Sequence, residues 1–358
     1  MIPYFILIVF PTIIWLFYDR VRFNIGNKLI YETKYLSIDA FMLILLCLLS
    51  FRGLACGNDT SQYFRLFKEY SASKLSGLLS AQNHEFGYKL LNKLVGYITD
   101  NYQIFLTITS ILCICPVWYF YKKESEISLL TIALFLSVAP FFMFFSGIRQ
   151  CLAMAIGIFS WYATKNKKPW LFILLVLLAL QFHSSSFILF VLYPLYYAKI
   201  TKKWLWFVVP CMVTVYIFRA FIFDFLLSRL WEDFGAIQET GAYTVLFLLI
   251  AFAIYSYVLV DDALLDQDTI AMRNFLLLSI IIQFFAMLHP LSMRMNYYFL
   301  IFIPILIPKI VKCCKEKYRS IGRISVYVMI LFFLFYFVNM MLTDNDALNI
   351  FPYIPFWK

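Results

Sequence analysis

The sequence predicts an all-α, polytopic integral membrane protein, and three observations predict it. Of 358 residues, 63% are hydrophobic and only 14% charged, with a mean hydropathy of +0.82. A soluble domain of this length could not hide that much apolar surface, 40 Phe and 25 Tyr among it. The charges collect in short clusters, and several runs between them approach the roughly 20 apolar residues that cross about 30 Å of hydrocarbon.

Taken in order, the apolar runs give about twelve predicted transmembrane helices. They lie at 2–18, 36–51, 102–121, 127–145, 149–164, 170–182, 185–198, 204–218, 243–260, 274–289, 296–308 and 324–342. The first, "MIPYFILIVFPTIIWLFYDR", has no basic leading region and no small-residue cleavage site, so it is expected to stay as a span. The connections 19–35, 122–126, 165–169, 199–203, 261–273 and 309–323 hold 19 of the 30 Lys and Arg. The positive-inside rule makes that group cytoplasmic and puts both termini outside. The whole chain, 1–358, is expected to form one transmembrane domain. Its larger outer segments are 52–101, with an amphipathic or re-entrant helix, and 219–242.

In the amphipathic stretch "HEFGYKLLNKLVGYI", Phe86, Leu90, Leu91, Leu94 and Ile98 share a helical stripe. Such a helix lies on or re-enters the membrane surface. The acidic run "DDALLDQD" at 261–268 reads as a solvated turn. Cys47, Cys113, Cys115 and Cys211 fall within apolar runs, where a thiol behaves as a small hydrophobe. No cysteine spacing implies zinc or a disulfide framework. No glycine-rich nucleotide loop or metal-ligand cluster occurs, so no cofactor is expected, and the basic balance is assigned to loop orientation, with no nucleic-acid partner.

The polar residues that need explaining fall at the outer ends of the runs. Arg149 stands between two uncharged stretches, Ile127 to Phe145 and Cys151 to Thr164. With Gln150, it begins a helix. An arginine fork beside the free N–H groups of a helix start suits phosphate oxygens, while the alternative is an arginine snorkelling to the headgroups. Arg294 recurs at the mouth of another run, with Tyr297 and Tyr298 just beyond. His183 precedes three serines and could be a general base, a hydrogen-bond donor or a structural fastener. Asp59 could cap a helix carrying Tyr63, serve a site, or do both. Glu85 sits where a helix dipole favours a carboxylate, and Arg52 directly follows a span.

The segments "RGLACGNDTSQYFRLF", "HEFGYKLLNKL", "FFSGIRQCLAMAI", "LALQFHSSSFI" and "RMNYYF" occur in an order that resembles the EpsG family of bacterial membrane proteins, relatives of Wzy-type polysaccharide polymerases. The resemblance spans roughly residues 45–300. The family's R-x-x-G-x-D-T pattern is longer here, between Arg52 and Asp59. The resemblance implies polymerisation of undecaprenyl-diphosphate-linked repeat units, of O-antigen, capsule or exopolysaccharide, at the outer face of the bacterial cytoplasmic membrane. The partners it implies are the lipid-linked glycans, membrane lipids, a flippase and a chain-length regulator. On this view Arg149, Gln150, Arg294, Arg52, Tyr63 and Tyr298 bind diphosphate or sugar. His183, Glu85 and Asp59, ranked in that order, are candidates for the base that activates the acceptor hydroxyl. Two alternatives are a lipid-linked oligosaccharide flippase and a membrane acyltransferase. The first needs charges along a whole central path, and the second a base on the cytoplasmic side.

Overall fold

Each of the twelve apolar runs is helical in the computed structural model. It describes residues 1–19, 22–25, 28–32, 35–80, 84–138, 140–230, 242–343 and 348–358. The helices are α1 (Ile2–Phe17), α2 (Leu36–Phe51), α3 (Thr60–Ala72), α4 (Leu75–Ser80), α5 (Phe86–Gly96), α6 (Tyr102–Glu124), α7 (Ser128–Ser137), α8 (Phe141–Ser146) and α9 (Ile148–Lys165). They continue with α10 (Pro169–Leu180), a 3₁₀ turn at Ser184–Val191 running into α11 (Leu192–Tyr197), α12 (Leu205–Ile217), α13 (Arg219–Leu230) and α14 (Tyr243–Val258). The last four are α15 (Gln267–Ala286), α16 (Pro290–Leu300), α17 (Ile303–Lys312) and α18 (Arg319–Leu342). A short antiparallel ribbon, β1 (Arg22–Ile25) with β2 (Lys28–Glu32), lies between α1 and α2.

Two predicted spans are broken. The run 127–145 stops as α7 and resumes as α8, with Pro140 as the N-cap of α8 because proline cannot donate into a continuing helix. The run 296–308 falls on α16 and α17, which meet at a 45° bend. Among the described residues, three helical stretches are long and apolar enough to cross a membrane alone, up to five if each bent pair is one span, and the other apolar helices are shorter. The predicted outer loop 219–242 begins as helix: α13 continues α12 across a 69° bend. Residues 231–241 of that loop lie outside the described residues.

Burial separates the helices by their sequence pattern. In α7, "SLLTIALFL" is apolar on every face, and each of those residues is buried. Elsewhere in the interior, Trp161, Phe275, Phe299 and Phe302 pack ring against ring. By contrast α10, α12 and α18 present large apolar side chains outward, including Trp170 (82% exposed), Trp206 (88%) and Phe335 (71%). A water-soluble surface does not carry contiguous apolar faces on this scale, whereas lipid tails solvate them. The chain is a membrane protein.

The connections sort into two polar ends. All six Lys/Arg-rich connections are joined at one of them. Asp19 accepts from the Ser37 N–H at 2.9 Å and from the Ser128 hydroxyl. Lys122 pairs with Asp39 (2.7 Å) and Lys312 with Glu126. The buried Glu124 takes both Lys165 (3.5 Å) and Lys309 (3.1 Å). Asp268 receives Lys165 and the Tyr196 hydroxyl, while Asp262 receives Arg273 at 2.7 Å and approaches Lys202. The acidic run 261–268 is therefore not merely a solvated turn. Asp268 is buried and fully partnered, as a carboxylate removed from water must be.

At the other end, residues 348–358 form a strap. Its backbone carbonyls accept from the outer segment: the Gly53 N–H donates to Ile354 O (2.8 Å), the Gly57 N–H to Asn349 O (2.9 Å) and the Asn58 N–H to Leu348 O (3.0 Å). The Tyr4 hydroxyl of α1 donates to Ile350 O at 2.6 Å. The strap thus ties α1 to the loop that follows α2.

Candidate functional site

The loop that follows α2 is set by a glycine. Gly57 has φ of +92°, and a Cβ there would lie 2.3 Å from the carbonyl oxygen of Phe145. Only glycine takes this conformation and this approach without strain. The close packing holds Asp59 against the α8–α9 junction, where its N–H donates to the Ser146 hydroxyl at 3.2 Å. Asp59 is the N-cap residue of α3, but its side chain makes no capping hydrogen bond. The carboxylate instead lines a cavity of about 110 Å³.

That cavity gathers six of the nine residues singled out from sequence. Asp59 and Tyr63 come from the start of α3, Arg149 and Gln150 from the first turn of α9, His183 from the α10 end, and Arg294 from α16. Gln62, His84 and Gly147 complete its polar part. It therefore sits on the N-terminus of an 18-residue helix, where free backbone N–H groups already favour an anion.

Glu85 lies behind the cavity wall as a clamp. Its carboxylate takes Arg149 Nη1 at 2.5 Å and the Ser184 N–H at 2.9 Å. A close approach at Gly87, where a Cβ would lie 2.7 Å from Gln181, lets α5 come near enough for this contact. Burial by itself pushes the Glu85 carboxyl up, but the Arg149 charge and the Ser184 N–H together hold it below the usual value. Arg149 is thereby half spent. Its Nε is buried with no hydrogen-bond partner, and Tyr63 lines the same cavity. Burial lifts the Tyr63 phenol to about 12 against the pull of Arg149, so it stays protonated as a donor.

His183 is held in one tautomer. Its Nδ1 accepts from the Ser185 N–H at 3.2 Å, with the Ser185 hydroxyl at 2.7 Å, as the N-cap of the 3₁₀ turn. A nitrogen that accepts from a backbone N–H carries no proton, so Nε2 carries it. Burial and the nearby Arg149 lower the His183 pKa to about 4, which leaves the ring neutral at pH 7. His289 caps α16 in the same way, accepting the Leu291 N–H at 3.1 Å. The sequence made His183 the first candidate base, but its acceptor nitrogen is already engaged and its other nitrogen is a donor.

Two of the nine residues stand away from the cavity. Arg52 is only 2% exposed and donates to Leu49 O at 2.7 Å, tying down the end of α2. Its position just after a span made it look available, but the C-terminal strap covers it through a backbone bridge to Pro355. Tyr298 is buried too, and its hydroxyl meets that of Ser185 at 3.3 Å, bracing the His183 turn from behind. Gln150 lines the cavity and also donates to Arg294 O, coupling α9 to α16. Arg294, by contrast, is exposed, with no carboxylate partner among the described residues.

The sequence reading missed His84. Its Nδ1 meets the Tyr70 hydroxyl at 2.6 Å, and the ring lines the cavity. Its position directly before Glu85 was the available signal. No group of three or more metal-ligating side chains exists among the described residues.

The amphipathic helix α5 buries Tyr88, Lys89, Asn92 and Val95 against the protein. The predicted apolar stripe points outward, with Leu94 and Ile98 (77%) exposed. A helix lying in the membrane surface shows this pattern.

Compared with known families, the chain matches the EpsG family over residues 35–354. No curated protein and no solved structure matches it.

Proposed function

The chain belongs to the EpsG family, and from that membership and this cavity we propose that it is a membrane glycosyltransferase. It would polymerise polyprenyl-diphosphate-linked repeat units at the extracytoplasmic face of the bacterial cytoplasmic membrane. The observation that carries the reading is one small polar cavity joining two arginines, an uncapped carboxylate and a helix N-terminus at the mouth of a membrane bundle. Such a set can neutralise a departing diphosphate and accept a proton from an attacking hydroxyl without a metal.

In this reading Arg294 and the free donors of Arg149 face the diphosphate, whose charge grows as the glycosidic bond breaks. Tyr63 and the first N–H groups of α9 add neutral donors. Glu85 positions Arg149. Asp59 is the base that takes the proton of the acceptor hydroxyl, since its carboxylate has no capping partner while Glu85 is engaged. A carboxylate also suits the positive character that develops on the sugar. His183, as an Nε2–H donor, holds a sugar or phosphate oxygen. An apolar groove of about 670 Å³ along α12, α14 and α15 has room for the isoprenoid tail.

The twelve helical runs are taken to cross the bilayer, broken spans counted once. The sorting of their connections into a lysine-rich end and the cavity end supports that count, and the positive-inside rule makes the cavity end extracytoplasmic. The test is synthesis by the purified protein in vitro from lipid-linked repeats. Polymer is expected. Repeats that move across a vesicle membrane without being joined would make the protein a flippase instead.

A further inference from the structure

A second pocket lies at the opposite end of the bundle, far from the cavity in sequence and in space. It has a volume of about 360 Å³ and opens between the end of α1, the start of α7, the end of α17 and the first turns of α18. Lys312, Arg319 and Arg323 line one part of it, and Trp15, Val326 and Tyr327 the other. Lys312 is paired with Glu126. Arg319 and Arg323 have no carboxylate partner among the described residues.

This arrangement is unfavourable as it stands. Arg319 and Arg323 are one turn apart on the same helix face, where like charges repel. Both lie near the start of α18, where the helix dipole is positive as well. An anion between them would relieve each of these terms. A free anion would not need apolar walls, but a lipid headgroup does. Tyr327 continues the arginine stripe one turn further, and beyond it Leu331 and Phe335 are exposed on the bilayer-facing surface of α18. Aromatic side chains at the edge and apolar ones below are what the glycerol and acyl regions meet.

We propose that this pocket binds an anionic phospholipid, its phosphate between Arg319 and Arg323 and its acyl chains along α18. Basic pockets between transmembrane helices take acidic headgroups by this combination of charge and apolar contact. The inference stands apart from the reaction proposed above and holds whichever glycan the protein handles.

The test is native mass spectrometry of the full-length protein in detergent. Phosphatidylglycerol or phosphatidylcholine is titrated in separate arms, and inorganic phosphate is added as a competitor in a third. Phosphatidylglycerol is expected to be retained over phosphatidylcholine by on the order of 10-fold. The double variant Arg319→Gln with Arg323→Gln is expected to abolish that preference. A control, Arg65→Gln, removes an exposed arginine near the other end and is expected to keep it. Should the double variant fold poorly, Arg323→Gln alone is expected to lower the preference several-fold. Equal retention of the two lipids, an undiminished preference in the variants, or displacement by millimolar phosphate would overturn the proposal.

Discussion

Changing Asp59 to Asn isolates chemistry from structure at the cavity. The substitution keeps the side-chain shape and removes the negative charge together with the ability to accept a proton. Stability should barely move. The contacts that fix this loop are made by backbone: the Asp59 N–H to Ser146, Gly57 N–H to Asn349 O and Asn58 N–H to Leu348 O. None involves the carboxylate, and α3 does not use it as a cap. A polar substitution of this kind typically stays within about 0.5 kcal/mol. The rate should fall far more, since losing a general base costs about 100- to 10,000-fold, or roughly 3–5 kcal/mol of barrier. The assay is single-turnover polymer formation from purified lipid-linked repeats, with thermal unfolding of the same preparations in detergent. Donor binding should persist, because Arg149 and Arg294 are untouched. Near-normal turnover in Asp59→Asn would refute the assignment, and so would a loss of turnover that tracks a loss of folded protein.

Arg149→Lys keeps the charge but not the fork that reaches Glu85 and a phosphate together. It should cost on the order of 2–4 kcal/mol in the transition state, about 30- to 1000-fold in rate, and normal polymer from Arg149→Ala at normal protein level would leave Arg149 a snorkelling anchor. His183 is held at about 4 in the folded protein against about 6.5 unfolded. Its contribution to stability is thus complete above pH 6.5 and lost as pH falls towards 4, a total of about 3 kcal/mol. Chemical unfolding at pH 7 and pH 4.5 should therefore show a smaller acid loss in His183→Gln than in the wild type, and the polymerisation rate should show no ionisation near pH 6.5 that this variant removes. A cysteine at Lys167 in a cysteine-free background should resist an impermeant reagent in intact cells, while one at Ser73 should react. The reverse pattern would invert the orientation of the bundle.

The parts of the fold visible in sequence were those governed by composition. An uncharged run such as 128–136 has to be helical and buried or lipid-facing, because nothing else satisfies its backbone in an apolar medium. The sorting of polar connections also followed from counting Lys and Arg. What sequence could not provide was the partner of each charge. Glu85 and Arg149 are 64 positions apart and meet only because Gly87 lets α5 approach the α10 end. Arg52 and Arg294 look alike as arginines at the mouths of spans, yet one is covered by the strap and the other faces the cavity. The placement of a proton on His183 depends on Ser185, two residues on, in a 3₁₀ turn that apolar periodicity does not signal. His84 was hidden for a similar reason, since its role depends on Tyr70 and the cavity wall.

The strap also dates the assembly of the cavity. The loop bearing Asp59 takes two of its backbone bonds from Leu348 and Asn349, some 290 positions further along the chain. A ribosome working at about 5–20 residues per second needs roughly 15–60 s to cover that distance. Throughout this interval the early helices are already made while the Asp59 loop waits for its last partners. Until then the arginine of α9 would stand at the cavity without the Asp59 loop fixed beside it. Completion of the cavity would then wait until the strap had been made and had folded back, however many of the preceding helices had already entered the bilayer.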